Sequence, residues 1–338
     1  MPENKINNAV EEMKFSIVIP CRNEKDYISQ CVKSIEKQSY KQDLIEIVIV
    51  DGFSVDGTRD ILFSLQKEYN NILVLDNPSK KTPQALNIGI KNSSGDVVVI
   101  LGAHTELDKD FIKFNNQFLI EKDVKVTGGT QINVGLNYTQ NLIGTVMEMP
   151  FAMASAKYRW SENEQFVDTV VYAAYKKELF DELGYFEEGF TISEDAEFNW
   201  RIRQAGHKIF FSPQIKSYYY PRDSIFSFVK QIFRYGILRV NVLKKHMDSL
   251  KLLHMIPPSF VAMLILGIGL SFVSKTFLSL LVVVLIIYFG LNLITTMKTL
   301  FPKKIKYIIF IPALIFVMHI SWGSGFLLGL FLPKSSKY

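Results

Sequence analysis

Cysteine is nearly absent: the 338 residues hold two, Cys21 and Cys31. Two cannot make a disulfide framework, and both lie in the charged half of the chain, which reads as a domain in a reducing cytoplasm. The N-terminal stretch MPENKINNAVEEMKF lacks the apolar core of a signal peptide, so the large domain is expected to stay inside. Charge is scarce from Ile256 to Leu332, where Lys275, Lys298, Lys303, Lys304 and Lys306 are the charged side chains and His319 is the other titratable group. That asymmetry excludes a single water-soluble globule and fits a soluble domain fused to a membrane-embedded tail. Nucleotide signatures are missing too. No G-x-G-x-x-G follows the first strand-like run and no G-x-x-x-x-G-K-[ST] occurs, which argues against a dinucleotide dehydrogenase and a P-loop ATPase. The absence of H-E-x-x-H and G-x-S-x-G removes support from zincin and α/β-hydrolase readings. The net charge of +5 is too weak and dispersed for a nucleic-acid partner, and suits an anionic ligand or membrane surface.

Three long apolar stretches are present: Ile256–Val273, Thr276–Thr296 and Ile305–Leu332. Each approaches or exceeds the roughly 20 residues a helix needs to cross hydrocarbon. The third contains Pro312 and Gly323-Ser324-Gly325, which allow either a bend or close helix packing. Lys244, Lys245 and Lys251 precede the first span; Lys298, Lys303 and Lys304 lie between the second and third, and Lys306 at the start of the third. By the positive-inside rule the large domain and the 298–306 loop are cytoplasmic, in a multi-pass protein of the cell's inner or plasma membrane. Lys334 and Lys337 oppose the outside C-terminus that three crossings require.

The charged half alternates strand and helix. Strands are predicted at Phe15–Pro20, Leu44–Val50, Asn71–Leu75 and Asp96–Leu101. Helices are predicted over Asp26–Lys37, over the turns carrying Ile61, Leu62 and Leu65 with Asp56 or Thr58 as cap, and from Thr82-Pro83. This spacing suits βαβ units and a mostly parallel sheet, whose ligands bind beyond the carboxyl ends of strands. Those ends lead into Pro20-Cys21-Arg22-Asn23-Glu24, Asp51–Thr58 and Gly102-Ala103-His104-Thr105-Glu106. A longer helix is expected over Asn141–Trp160.

Five blocks together resemble a family 2 glycosyltransferase of the GT-A fold: FSIVIPCRNE (15–24), VDGFSVDGT (50–58), SGDVVVILGAH (94–104), SEDAEFNWR (193–201) and QIFRYG (231–236). They most resemble bacterial exopolysaccharide, or succinoglycan-type, enzymes with C-terminal membrane helices. The resemblance implies a Rossmann-like GT-A domain over 15–220 after an N-terminal extension, 1–14. An amphipathic interface segment, 221–255, and a membrane region, 256–338, follow. It implies that Pro20, Arg22, Asn23, Glu24 and Asp51 hold a nucleotide sugar; Asp51 as a plain turn aspartate is the alternative. The family's Asp-x-Asp triplet is here Gly102-Ala103-His104, so His104 faces the diphosphate as a ligand of Mn2+ or Mg2+ or, protonated, as a direct phosphate partner. A structural histidine at a strand end is its other reading.

The resemblance points to Asp195 as the base that takes the acceptor hydroxyl's proton, with Glu194 beside it. Direct displacement by one base implies inversion. Consecutive acids at a helix start also serve as an N-terminal cap. Gln231, Arg234 and Tyr235 form Q-x-x-R-Y on one helix face, similar to the Q-x-x-R-W motif of processive synthases at the acceptor or diphosphate. Ile225–Leu243 followed by Lys244-Lys245-His246 also reads as an amphipathic helix on a membrane surface. The expectation is an inverting membrane glycosyltransferase using a UDP-sugar and a polyprenyl-linked or growing glycan, with segments 141–175 and 219–240 facing the acceptor. A processive synthase or a catalytically silent scaffold are the alternatives.

Overall fold

The computed structural model describes residues 11–189, 194–300 and 307–332. The chain divides into two compact units. The first comprises residues up to Gln131 with Glu162–Phe186 and Phe198–Tyr218; the second comprises Ile132–Ser161, Glu187–Glu197 and the chain from Tyr219 onward.

The first unit is built on a mixed sheet. Strands β1 (Phe15–Cys21), β2 (Ile45–Asp51), β3 (Ile72–Asp76) and β4 (Val97–Ile100) are parallel, in the order β3-β2-β1-β4. Each lies within a residue or so of its predicted position. Ile17, Val18 and Ile19 are buried on both faces of β1, as a continuous apolar run requires. Helices α1 (Ile28–Glu36), α2 (Thr58–Glu68) and α3 (Thr82–Lys91) follow these strands. In α1, Ile28, Cys31, Val32 and Ile35 are buried, the predicted apolar face. Gly57, at φ +98, precedes α2, and Asp56 Oδ1 accepts from the Thr58 N–H at 3.1 Å, closing its first turn. In α3, a Cβ at Gly89 would stand 2.4 Å from Val18 Cγ1, so glycine allows this helix to press on β1.

Beyond β4 the parallel order ends. Strands β5 (Thr105–Leu107), β6 (Val126–Asn133), β7 (Gln165–Val167), β8 (Ala174–Lys176) and β9 (Ile209–Tyr219) complete the sheet, with helices α4 (Phe111–Glu121) and α6 (Glu178–Leu183) between them. β8 is antiparallel to both β4 and β6, and β7 is antiparallel to β9. The sheet is thus parallel over its first four strands and mixed thereafter.

The second unit is helical: α5 (Tyr138–Met147), the first turn of α7 (Glu194–Gln204), α8 (Ile225–Lys245), α9 (Leu252–Ser271), α10 (Lys275–Leu300) and α11 (Phe310–Phe331). The helix expected over Asn141–Trp160 stops at Met147. Pro150 disfavours helical geometry at Met149, and a looser segment with a 3-10 turn at Lys157–Arg159 follows. Leu142, Ile143 and Val146 of α5 form a core with Phe228 and Ile232 of α8 and with Ile311, Leu314 and Ile315 of α11. Helices α9, α10 and α11 are long and apolar enough to cross a membrane. Pro312 and the Gly-Ser-Gly run do not break α11. Close packing is what the small residues serve: a Cβ at Gly325 would stand 2.0 Å from Phe233 O, and one at Gly236 2.1 Å from Trp322 O. The predicted third span's start at Ile305 lies outside the described residues.

Candidate active site

Parallel register brings Cys21, Asp51 and Asp76 side by side at the carboxyl edge of the first unit's sheet. The loops after β1 and β2 are stitched together there. The Asn23 N–H donates to Ser54 Oγ (2.8 Å), the Glu24 N–H donates to Thr58 Oγ1 (2.9 Å), and the Val55 N–H donates to Asn23 Oδ1 (3.0 Å). Pro20 is half-buried at the end of β1, and Arg22 is exposed with its methylenes over Gly52, where a Cβ would meet them at 3.2 Å. Pro20, Arg22, Asn23, Glu24 and Asp51 therefore gather at two neighbouring strand ends and the loops that leave them.

Asp51 is fully buried. Its carboxylate accepts from Ser54 Oγ (2.5 Å), from the Ser54 N–H (3.1 Å) and from Arg59 Nη1 (2.7 Å). Arg59 also pairs with Asp76 at 2.8 Å, and its guanidinium lies over the rings of Phe53 and Phe63. The carboxylate thus organises its own turn, the role that stood beside ligand binding in the sequence. Arg59 carried no sequence signal, because its partners are eight and seventeen residues away.

His104 Nδ1 lies 3.3 Å from Glu24 Oε1, so the expected diphosphate histidine and the β1 loop meet. Glu106 turns aside and accepts from Gln30 Nε2 at 3.1 Å. Tyr172 approaches Gly102 from β8's side; a Cβ at Gly102 would stand 3.7 Å from its ring. The Tyr172 hydroxyl accepts from Thr105 Oγ1 (2.8 Å) and Gln131 Nε2 (3.1 Å). Asn23 (φ +56), Phe53 (φ +55) and Tyr172 (φ +50) hold left-handed backbone conformations that non-glycine residues rarely adopt. Such strain gathers where surroundings over-determine a functional geometry. Tyr172 was missed in sequence because neither its backbone angle nor its neighbour Gly102 is visible in the run VVYAA.

In the second unit, Glu194 and Asp195 open α7, half-buried, with Glu197 one turn in and fully buried. Asp195 Oδ1 accepts from the Ala196 N–H at 2.7 Å. Burial pushes the Asp195 carboxyl up; burial, then the Asp195 charge, push Glu194 up to about 8. Both carboxyls of the pair are thus shifted towards holding a proton more firmly than in water. Glu197 lies about 200° around the helix from Asp195. Its Oε1 faces His246 Nε2 at 3.1 Å and Lys245 Nζ at 3.9 Å. Neither Glu197 nor His246 was singled out in sequence as a site residue, since 49 residues separate them.

On α8, Gln231 Nε2 donates to the Tyr235 hydroxyl (2.9 Å) and to the Tyr219 hydroxyl (3.4 Å), which confirms that positions 231 and 235 share a face. Gln231 Oε1 is buried and accepts no hydrogen bond among the described residues. Burial raises the Tyr235 phenol, so it stays a donor. Arg234 is exposed. The Trp160 indole donates to Met153 O at 3.1 Å and closes the segment after α5.

No group of three His, Cys, Asp or Glu side chains forms a metal cluster among the described residues. The donors at the expected position are His104 and Glu24. Such a nitrogen–oxygen pair fits a divalent cation that takes its remaining oxygens from a substrate diphosphate, and suits Mn2+ better than the oxygen-seeking Mg2+.

The mixed α/β sheet, parallel over its first four strands and with polar loops at its carboxyl edge, is of the kind found in GT-A glycosyltransferases. The profile described as Glycosyl transferase family 2 matches residues 16–184. A dolichyl N-acetylglucosaminyl-phosphate diacetamido-dideoxy-glucuronosyltransferase of Methanococcus voltae is 32% identical over 95% of this chain and 98% of its own length. The succinoglycan biosynthesis protein ExoA of Rhizobium meliloti is 28% identical over 71% of this chain and 73% of its own. The chain belongs to glycosyltransferase family 2 and is a glycosyltransferase. In fold it is similar to a mannosyltransferase of Pyrobaculum calidifontis solved with GDP-mannose and Mn2+, with a TM-score of 0.62, 17% identity, and coverage of 92% of this chain and 87% of the other.

Proposed function

We propose that the protein is an inverting membrane glycosyltransferase that moves one sugar from a nucleotide diphosphate, a UDP-sugar, to a lipid-linked glycan acceptor. The observation that carries this reading is the first turn of α7, where Glu194 and Asp195 stand side by side at the helix start and burial pushes both carboxyls up. A base with an elevated pKa takes a hydroxyl proton more readily near neutral pH. The acceptor oxygen attacks the anomeric carbon as its proton passes to Asp195. The bond from that carbon to the diphosphate oxygen breaks, and its electron pair leaves with the nucleoside diphosphate. Single displacement through an oxocarbenium-like transition state inverts the centre.

The loops carrying Pro20, Arg22, Asn23, Glu24 and Asp51 are assigned to the nucleoside, with His104 at the diphosphate. His104 and Glu24 would hold a divalent cation, Mn2+ or Mg2+, whose charge when bound offsets that of the leaving group. Gln231 Oε1, an open acceptor beside the Tyr235 hydroxyl, suits a sugar hydroxyl, and Arg234 suits an acceptor phosphate. The Methanococcus voltae relative is named for a lipid-phosphate acceptor, which supports a polyprenyl-linked substrate here. The apolar helices support delivery at a membrane, with the catalytic domain on its cytoplasmic side.

The test is UDP release by purified, detergent-solubilised protein, offered each UDP-sugar and host lipid extract, with Mn2+, Mg2+ or EDTA. Acceptor-dependent release with one sugar added per lipid supports the reading. Long products identify a processive synthase, and no release or nucleotide binding in any combination identifies a scaffold.

A further inference from the structure

We infer that α11 does not cross the bilayer: it lies beside α8 at the membrane interface, and among the described helices only the α9–α10 hairpin crosses. The observation is a lysine tether. Lys244, at the end of α8, donates from Nζ to the carbonyls of Gly329 (2.7 Å) and Leu332 (2.6 Å), the last acceptors of α11. A lysine there caps the helix's free carbonyls and its negative dipole end.

Parity turns this contact into topology. The chain leaves α8 at Lys245 and enters α9 at Leu252 on the same side of the membrane. Helix α9 has 20 residues and α10 has 26, about 30 and 39 Å at 1.5 Å per residue, enough to go out and return. Their side chains are mostly exposed to the surroundings, as lipid-facing helices are. Helix α11 therefore begins on the side where α9 began. A third crossing would carry Gly329 and Leu332 about 30 Å away from Lys244. They are instead within hydrogen-bonding reach of it.

The packing agrees. Glycines bring α11 and α8 into backbone contact, Gly325 against Phe233 and Gly329 against Ile237, so the two helices run side by side. Lys230 and Arg234 on that part of α8 are exposed. If α11 spanned hydrocarbon, α8 would carry both charges into it, at about 2.5–3.5 kcal/mol each near the centre of a span. The contacts of α11 with α9 fall at Pro257, Phe260 and Val261, in its first half, and those with α10 at Tyr288, Phe289 and Asn292, in its second half. Helix α11 thus meets the hairpin over the half nearer Leu252 and Leu300, reaching as far as its middle.

The partner this pair of helices fits is the headgroup–acyl boundary of an anionic leaflet. On α11, exposed Phe310, Val317, Leu328 and Phe331 fall within about 60° of one another at 100° per residue, with Leu330 exposed on the other side near the helix end. On α8, exposed Phe226, Lys230 and Arg234 recur every fourth residue. The described lysines flanking the hairpin agree: Lys244, Lys245 and Lys251 precede α9 and Lys298 lies in the last turn of α10, leaving Lys275 between the two helices.

The inference rests on α9 and α10 crossing a membrane and is tested without any donor sugar. Single cysteines are placed at Asp248→Cys ahead of α9, Val273→Cys between α9 and α10, and Ser335→Cys after α11. The full-length protein, reconstituted in sealed vesicles, is treated with a membrane-impermeant maleimide before and after permeabilisation. Wild type, whose two cysteines are buried, is the blank. The expected result is that Asp248→Cys and Ser335→Cys lose labelling together and Val273→Cys behaves oppositely. Ser335→Cys tracking Val273→Cys, or Val273→Cys tracking Asp248→Cys, overturns the inference. Absence of sugar transfer would sink the proposed activity and leave this pattern untouched.

Discussion

The contact between Glu197 and His246 makes a quantitative prediction. Glu197 is on the first turn of α7, opposite Asp195, and His246 caps the end of α8. The pair holds the turn that carries Asp195 against the helix that carries Gln231, Arg234 and Tyr235. A hydrogen bond to a charged group contributes about 1.5–3 kcal/mol. Stranding one member of a buried pair costs about 3–5 kcal/mol. The lower range applies here, because His246 is 12% exposed and Lys245 already stands 3.9 Å from the same carboxylate. His246→Ala is therefore expected to weaken the turn by about 2–3 kcal/mol. Amide hydrogen exchange over 194–204 would then speed up about 30- to 150-fold, at tenfold per 1.4 kcal/mol. Transfer is expected to fall by up to about 100-fold through misplacement of Asp195, with donor KM little changed. His246→Gln, which keeps a donor, should recover most of both. Unchanged exchange and rate in His246→Ala, or equal damage in His246→Gln, would refute the reasoning.

Other consequences are equally direct. Glu194→Gln imitates the protonated acid and should keep transfer within about tenfold, whereas the acid limb of the wild-type pH–rate profile should lie above the ordinary aspartate range near about 3.9, because Asp195 must be ionised to act. The folded-state pKa of Glu194 is raised, so the stability this group confers is present below about 4.3 and lost as pH climbs towards 8; thermal melts of Glu194→Gln should lack that slope. Arg59→Met removes the cation beside fully buried Asp51 and should cost about 2–4 kcal/mol in stability and weaken nucleotide binding, read by thermal unfolding and calorimetry. Gly236→Leu drives a side chain into Trp322 O and the Phe326 N–H, and should separate α8 from α11 at a cost of at least about 1–3 kcal/mol, seen as a lower melting midpoint in detergent.

The parts of the fold legible in sequence were those set by local pattern. Continuous apolar runs located β1 to β4, and the spacing of Ile28, Cys31, Val32 and Ile35 located α1. The antiparallel strands β7 and β8, three residues each, are too short to show a period. Pro150 marked the true end of α5, but the apolar run through Phe151 and Met153 masked it. Motif blocks pointed to Asp51, His104 and Asp195. They said nothing of Arg59, Tyr172 or the Glu197–His246 pair, which meet only through tertiary packing. Lys244-Lys245-His246 illustrates the difference. In sequence the run reads as positive charge at a membrane surface; in the structure its members bind the end of α11, Glu187 and Glu197.

The central claim is that Asp195 removes the acceptor's proton at the anomeric centre of a nucleotide sugar. The most direct measurement is transfer to a lipid-linked acceptor by Asp195→Asn, set beside nucleotide binding by the same protein. The account expects transfer to drop by about 10²–10⁴-fold while the nucleotide binds as in wild type. Transfer by Asp195→Asn at the wild-type rate would contradict it.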